Sequence, residues 1–376
     1  MIMARYIGIM SGTSLDSIDC VLCDIDTAGK PKLLAHHTRP FPGALQQELR
    51  ALCQPGDNEI ERLGPADRWL GREYAAAAND LLAEAECRAE EVTAIGCHGQ
   101  TIRHRPANDR QAPETAFTLQ IGDPNTLASL TGIAVAADFR RRDIAEGGQG
   151  APLAPMLHQA LFAKTGTCRA VINIGGMANV TWLNGTEGAL GFDTGPGNVL
   201  MDSWVQQHLG TPYDDGGRFA ASGTPQPDLL KRLLQHPYFD YKAGPRSTGR
   251  EDFDANQLMT ILAAQADTLR PEDIQATLLE FTAQSIAQAL QRLPKPVSQV
   301  FICGGGAFNT ALMQRLESLV HPSLIASTQS LGLHPLQVEA VAFAWLAWRR
   351  VNQLTGNLPS VTGAGREAVL GALYSA

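Results

Sequence analysis

Arg5-Tyr6-Ile7-Gly8-Ile9-Met10-Ser11-Gly12-Thr13-Ser14-Leu15-Asp16-Ser17-Ile18-Asp19-Cys20-Val21-Leu22-Cys23-Asp24-Ile25 is the stretch whose reading decides the fold. Residues 5–10 and 20–25 are apolar runs that predict two short buried strands. Between them, three hydroxyl side chains surround one glycine. Such a turn presents backbone N–H groups to an anion with no bulky side chain in the way. Taken alone it also fits an ordinary Gly/Ser hairpin. The pattern recurs, however. Ala170–Ile174 runs into Gly175-Gly176 and then a second strand from Met177, and Gln299–Cys303 runs into Gly304-Gly305-Gly306 with a helix opening near Phe308-Asn309. Glycines between a strand and a helix let backbone approach a ligand and place a helix N-terminus beside it. The three loops together imply two similar α/β halves that close on a phosphorylated ligand.

Other nucleotide motifs are excluded by count. A Walker loop needs a lysine, yet no lysine occurs between Lys32 and Lys164 and none flanks the glycine loops. A G-x-G-x-x-G fingerprint is also missing after the first strand. Phosphate charge must then be met by backbone N–H groups, arginine and a divalent metal. At 376 residues the chain exceeds one ordinary core, so two domains are expected. A net charge of -8 argues against nucleic acid as a partner, because Arg140-Arg141-Arg142 is the densest basic run. No run of 18 apolar residues predicts a membrane span, and no signal peptide is read at the N-terminus. The seven cysteines, odd in number and mostly in apolar runs, fit free thiols in a reducing cytoplasm. Cys20 and Cys23 lie in one strand, where a spacing of three puts them on opposite faces.

Strands are expected at 31–37, 92–97, 117–121, 133–137, 169–174, 178–183 and 188–193. Helices are expected at 65–89, 123–130 (Asp123 as N-cap, Pro124 first), 155–163, 257–268, 272–293, 308–320 and 336–353. Residues 138–151 read as a crossing loop and 210–255 as loop-rich. Alternating strands and helices indicate a layered α/β fold.

Several residues stand where chemistry is possible. Gly191-Phe192-Asp193-Thr194-Gly195-Pro196-Gly197-Asn198 delivers one carboxylate from a strand into a rigid turn. That suits a general base, or a turn aspartate. Asp16 and Asp19 follow the first loop and could hold Mg²⁺ or cap a turn. His98 directly follows a strand, where it positions a substrate hydroxyl or serves as a structural histidine. Asp138 and Arg140 end the first half, and Arg140 could clamp a carboxylate or phosphate bidentately. Glu339, in an apolar helix start, needs a partner or marks a site.

Ile9–Asp16, Cys97–Thr101, Gln120–Pro124, Ala137–Arg140, Gly147–Leu153, Asn173–Gly176, Gly191–Asn198 and Cys303–Asn309 together resemble the anhydro-N-acetylmuramic acid kinases, in order and over nearly the whole chain. The resemblance implies the two-domain actin-like ATPase (ribonuclease H-like) fold with an interdomain ATP cleft. It implies that ATP phosphorylates O6 of 1,6-anhydro-N-acetylmuramic acid while water, as co-substrate, opens the anhydro bond at C1. Asp193 is then the base acting on water. Gly12, Thr13, Ser14, Leu15, Asp16, Ser17, Ile18 and Asp19 meet the phosphates, and Asn173, Gly175, Gly176, Gly304, Gly305, Gly306 and Asn309 complete the nucleotide site. His98, Gln100, Asp138, Arg140 and Glu339 fall to the sugar, and Asp16 and Asp19 to Mg²⁺. Two positions depart from the family pattern: Ser17 replaces a common glycine, and Glu146 sits where a small residue is expected.

The expected domains are 1–137 with about 345–376, and 138–344. A homodimer is expected, with an apolar helix of the second half available as interface. The rival readings are a kinase of the same fold acting on an ordinary hydroxyl or carboxylate, and an Hsp70- or actin-type switch, which the chain's lack of an appended peptide-binding domain disfavours. A glycosidase would need two catalytic carboxylates and leave the glycine loops unexplained.

Overall fold

The computed structural model describes residues 3–12, 15–107, 111–240, 246, 248, 252–253, 255–262 and 269–376, without the side chains of 255–257. Thr13 and Ser14, and part of the helix expected at 257–268, lie outside the described residues. In chain order the first elements are β1 (Met3–Ser11), β2 (Ser17–Asp26), β3 (Pro31–Pro40), α1 (Gly43–Leu52), α2 (Glu59–Glu84), β4 (Val92–Cys97), β5 (Gln100–Arg105), β6 (Phe117–Ile121), α3 (Pro124–Thr131), β7 (Val135–Ala137), α4 (Phe139–Ala145) and α5 (Ala154–Phe162). There follow β8 (Cys168–Ile174), β9 (Met177–Asn184), β10 (Ala189–Pro196), α6 (Val199–Leu209), α7 (Arg218–Ala221), α8 (Pro227–Leu234), α9 (Ala255–Leu262), α10 (Pro271–Gln291), β11 (Gln299–Cys303), α11 (Thr310–Val320) and β12 (Leu324–Ser327). The chain closes with α12 (Val338–Val351), α13 (Pro359–Thr362) and β13 (Ala372–Tyr374).

Two compact units result, Met1–Leu161 with Gln337–Ala376, and Phe162–Leu336. In the first, the strand order is β13-β7-β4-β1-β2-β3. β1, β2 and β3 form antiparallel pairs, while β4 lies parallel to β1 and β7 parallel to β4. The second unit has the order β10-β9-β8-β11-β12, with β8, β9 and β10 antiparallel and β11 and β12 parallel continuations. Apart from the edge strand β13, the two sheets share one topology, a meander followed by two parallel crossovers. This is the ribonuclease H-like arrangement.

In the first unit, α1 and α2 cover one face of the sheet through Leu45, Leu49, Leu70 and Leu81 against Ile7, Ile9, Ile18 and Cys20. The other face carries α12, which approaches so closely that a Cβ on Gly8 would lie 1.9 Å from the Ala340 carbonyl oxygen, and one on Gly96 1.9 Å from that of Phe343. The Trp345 indole N–H donates to the Gly29 carbonyl at 2.8 Å. In the second unit α10 is the central helix. Sixteen of its 21 residues are buried.

Several expectations are corrected. Chain division falls at Leu161/Phe162 and Leu336/Gln337, not at 137/138 and 344/345. Residues after 137 stay with the first unit because α4 and the loop after it are tied to the C-terminal segment. The Gln149 N–H donates to the Thr362 carbonyl at 2.7 Å and the Gly365 N–H to that of Glu146 at 2.7 Å. Residues 139–145, read as loop for their charge, are helix α4. Residues 218–221 and 227–234 are helices within the stretch read as loop-rich; α8 has Pro227 near its start and buries Leu229 and Leu233. α1, β5, β12 and β13 were not foreseen, and α2 begins earlier, at Glu59, with Pro65 inside it. Glu146 has a clear role. It pairs with Arg366 at 2.7 Å and with Arg142 at 2.9 Å, and the Arg366 guanidinium, before that of Arg142, holds its carboxyl below the usual range.

Candidate functional site

The first glycine loop joins β1 to β2. Leu15 takes a left-handed conformation (φ 61°) with its side chain buried, a costly backbone for leucine that its surroundings must enforce. Its N–H donates to the Gly12 carbonyl at 3.2 Å. The Gln46 amide, on α1, donates to the Leu15 carbonyl at 2.7 Å, and the Gln100 amide to the Gly12 carbonyl at 3.2 Å. Ser11 and Tyr74 share a buried hydroxyl–hydroxyl bond of 2.7 Å at the root of the loop. The described ends of the loop are thus held from three elements: Leu15 from α1, Gly12 from β5, and Ser11 from α2.

Asp16 is exposed at the loop exit. Asp19, on β2, accepts from the Thr38 hydroxyl at 2.9 Å. Burial raises the Asp19 carboxyl above its ordinary range; Thr38 and His36 oppose this, and the Asp16 charge adds to it. A cation near the pair would relieve that cost. Among the described residues no group of three or more His, Cys, Asp or Glu side chains is placed to hold a metal. Mg²⁺ commonly takes one or two carboxylates and completes its shell with phosphate and water, so the Asp16/Asp19 pair fits that ion rather than an all-protein cage.

In the second unit, Asn173 ends β8 and Gly175-Gly176 turn into β9. Asn173 is 8% exposed, and its Oδ1 has no hydrogen-bond partner among the described residues. A Cβ on Gly304 would lie 2.4 Å from that oxygen, so Asn173 stands against the third glycine loop. The turn is locked to the Gly195–Asn198 corner: the Asn198 N–H donates to the Gly175 carbonyl at 2.8 Å and the Gly197 N–H to that of Gly176 at 2.9 Å. Asn309 caps α11, its side-chain oxygen accepting from the Leu312 N–H at 3.0 Å. Gly305 and Gly306 therefore lead directly into a helix N-terminus.

Asp193 lies on β10, where the ladder to β9 shifts register between Asp193 and Gly195. Such a bulge re-aims a side chain. Its Oδ2 accepts from the Thr248 N–H at 2.8 Å, its own N–H donates to the Arg246 carbonyl at 3.1 Å, and its carbonyl accepts from the Tyr238 hydroxyl at 2.6 Å. Asp193 pairs with Asn179 across β10/β9, and Asn179 pairs with Asn173 across β9/β8. Directly paired residues share a sheet face, so Asn173, Asn179 and Asp193 form one polar row. Asn179, Gln46 and Tyr74 were not singled out in the sequence; only the strand register of Asn179 carried a readable signal.

Back in the first unit, His98 follows β4 and is 5% exposed. Its Nε2 accepts from Arg140 Nε at 2.9 Å, and Arg140 Nη1 donates to the Gly150 carbonyl at 2.7 Å. Burial, then the Arg140 cation, drive the His98 imidazole well below its ordinary pKa. It is therefore neutral, with its proton on Nδ1, which is buried with no partner among the described residues. Asp138 has a left-handed backbone (φ 61°) and pairs with Arg141 at 3.1 Å; burial raises its carboxyl against the pull of Arg141. Glu339 occupies the first turn of α12. The structure thus unites His98 with Arg140, and Gln100 with the first loop.

Neutral buried imidazoles make stability acid-sensitive. His158, on α5, is 1% exposed, and burial lowers it to about 3. In the unfolded chain His98 and His158 titrate near pH 6.5, so the unfolded state takes up protons that the fold refuses. Their contribution is complete above about pH 7. It falls as pH drops through about 6.5, by about 1.4 kcal/mol per pH unit for each imidazole, until the folded state itself protonates. Urea midpoints measured between about pH 7.5 and about pH 5 are expected to fall steeply. A flat profile would show that these imidazoles are charged in the fold.

Two units of one ribonuclease H-like topology, each with a glycine-containing turn at the end of its first strand, define the fold class of the actin-like proteins. A family model described as anhydro-N-acetylmuramic acid kinase matches residues 4–376. A protein of that name from Shewanella sp. (strain MR-4) is 54% identical over 375 residues, covering 99% of each chain. Another from Saccharophagus degradans is 50% identical over 370 residues, covering 98% of each. Among solved structures, component A of the (R)-2-hydroxyglutaryl-CoA dehydratase from Acidaminococcus fermentans aligns at 14% identity and a TM-score of 0.47, over 93% of this chain and 99% of its own. The chain belongs to the anhydro-N-acetylmuramic acid kinase family.

Proposed function

We propose that this chain is an ATP-dependent kinase of 1,6-anhydro-N-acetylmuramic acid that yields N-acetylmuramate 6-phosphate and ADP, a step of peptidoglycan recycling. The observation that carries the reading is the end-to-end match to that family at half or more identical residues. O6 of the anhydro sugar is an ether oxygen with no proton to lose. Water attacks C1, the C1–O6 bond breaks, and O6 attacks the γ-phosphate as the bond to ADP breaks. The water proton passes to Asp193. A strand-borne carboxylate oriented by the Thr248 N–H supports that role.

In this reading Gly12 to Asp19, together with Asn173, Gly175, Gly176, Gly304 to Gly306 and the Asn309-capped helix, supply N–H groups and a helix dipole to the nucleotide. His98, Gln100, Asp138, Arg140 and Glu339 serve the sugar. Mg²⁺ held near Asp16 and Asp19 would neutralise phosphate charge. The proposal places the enzyme in the cytoplasm, which suits seven cysteines outside any disulfide; burial pushes Cys23 and Cys97 up to about 12, so both stay as unreactive thiols. Among the described residues no helix is long and apolar enough to cross a membrane. A homodimer, expected from the sequence, is part of the proposal.

Turnover in ¹⁸O-water with ATP, Mg²⁺ and the anhydro sugar tests the reading. The expected product is a ring-opened 6-phosphate carrying ¹⁸O at C1, one per ADP. ATP turnover without sugar product would sink the substrate assignment and favour an ordinary hydroxyl or carboxylate acceptor.

A further inference from the structure

Asp143, on α4, is 0% exposed. Its Oδ2 accepts from the Gly150 N–H at 2.7 Å. Its Oδ1 accepts from Asn357 Nδ2 at 2.7 Å and from the Thr362 hydroxyl at 2.8 Å. A buried carboxylate is tolerated only when such donors surround it, and here they come from two directions. Gly150 belongs to the loop after α4, and Asn357 and Thr362 to the segment after α12. The same Gly150 offers its carbonyl to Arg140 Nη1 at 2.7 Å, and Arg140 Nε reaches His98 Nε2 at 2.9 Å. One continuous chain of hydrogen bonds thus runs from the C-terminal segment through Asp143, the Gly150 peptide and Arg140 to His98.

We infer that Asp143 is a positioning residue for the Arg140–His98 pair. The described partners of its carboxylate are all protein donors. It fixes the orientation of the Gly150 peptide, which in turn fixes the guanidinium, and so sets the geometry of the sugar end of the site. The inference rests on the reading that Arg140 and His98 serve the sugar. A carboxylate is specifically required. Asparagine offers one oxygen and one NH₂, and either orientation turns the NH₂ toward a donor, the Gly150 N–H on one side or the Asn357 and Thr362 donors on the other. A displacement of about 1 Å in a substrate-holding group can cost up to about a hundredfold.

The test uses the full chain with Asp143→Asn, Arg140→Ala and the double variant, measuring kcat, KM for the anhydro sugar, KM for ATP and a thermal melt. Asp143→Asn is expected to raise the sugar KM roughly tenfold with the ATP KM within about twofold. The double variant is expected to be no worse than Arg140→Ala, because both changes remove the same interaction. Additive losses, or equal increases in both KM values, would show a general packing role and overturn the inference. If Asp143→Asn does not fold, Thr362→Val, which deletes one donor and keeps the side-chain shape, is expected to raise the sugar KM alone by about threefold; a folded Thr362→Val with a normal sugar KM overturns it. A normal sugar KM in Arg140→Ala would instead overturn the sugar-site reading itself. A damaged Arg140→Ala beside a normal Asp143→Asn would overturn only the role of Asp143.

Discussion

Asp193→Asn is expected to lower turnover at least about a hundredfold while ATP binding and the melting temperature stay close to those of the parent chain. Two of the described contacts at this position are made by backbone. The Asp193 N–H reaches the Arg246 carbonyl at 3.1 Å, and its own carbonyl takes the Tyr238 hydroxyl at 2.6 Å. Neither depends on the side chain. The Thr248 N–H, 2.8 Å from Oδ2, can be met equally by the carbonyl oxygen of asparagine. What asparagine lacks is a second oxygen able to take a proton from water. If the carboxylate accepts that proton, kcat falls and the KM for ATP does not. Near-normal turnover in the variant would remove Asp193 from the proton transfer and return it to the role of a turn residue.

Gly8→Ala carries the largest expected effect on stability. The new methyl would sit 1.9 Å from the Ala340 carbonyl oxygen and 2.6 Å from the Ala344 nitrogen, both backbone atoms of α12. A side chain could rotate away; a helix backbone cannot, so α12 must lift from the sheet. Overpacking commonly costs about 1–3 kcal/mol and sometimes more. Because the whole helix is displaced, about 3 kcal/mol or more is expected, a drop of roughly 10 °C in melting temperature for a unit of this size. Gly96→Ala should behave alike, its methyl facing the Phe343 carbonyl at 1.9 Å. Gly43→Ala, where an added Cβ meets nothing within 4 Å, is the control and should melt with the parent. Equal melting temperatures for Gly8→Ala and Gly43→Ala would mean that α12 does not seat on β1 as described.

The strands that carry the glycine loops were legible because each is an apolar run broken by glycine, a purely local signal. β1, β2, β8 and β11 all fall where that signal places them, and so does α3 behind its Asp123 cap. α4 was illegible for the opposite reason. Its sequence is charged and flanked by glycine, and the partners that bury Asp143 lie 214 and 219 positions away. Nothing near residue 143 announces them. The loop clamps Gln46 and Tyr74 are hidden in the same way: one sits on a helix inside a polar stretch, the other among alanines. The candidate base and the glycine loops could be named from sequence, whereas the residues that hold them required the fold.

The first unit is discontinuous, and this has a consequence for synthesis. Residues 162–336 form an unbroken unit that the ribosome finishes before it makes α12. β1 emerges first, yet the helix that covers one face of its sheet arrives more than three hundred residues later, and the Trp345–Gly29 bond spans 316 positions. During translation the N-terminal sheet waits with Gly8 and Gly96 uncovered while the later-made unit is already able to mature. The N-terminal sheet is therefore exposed to chaperones and to aggregation until α12 has cleared the exit tunnel.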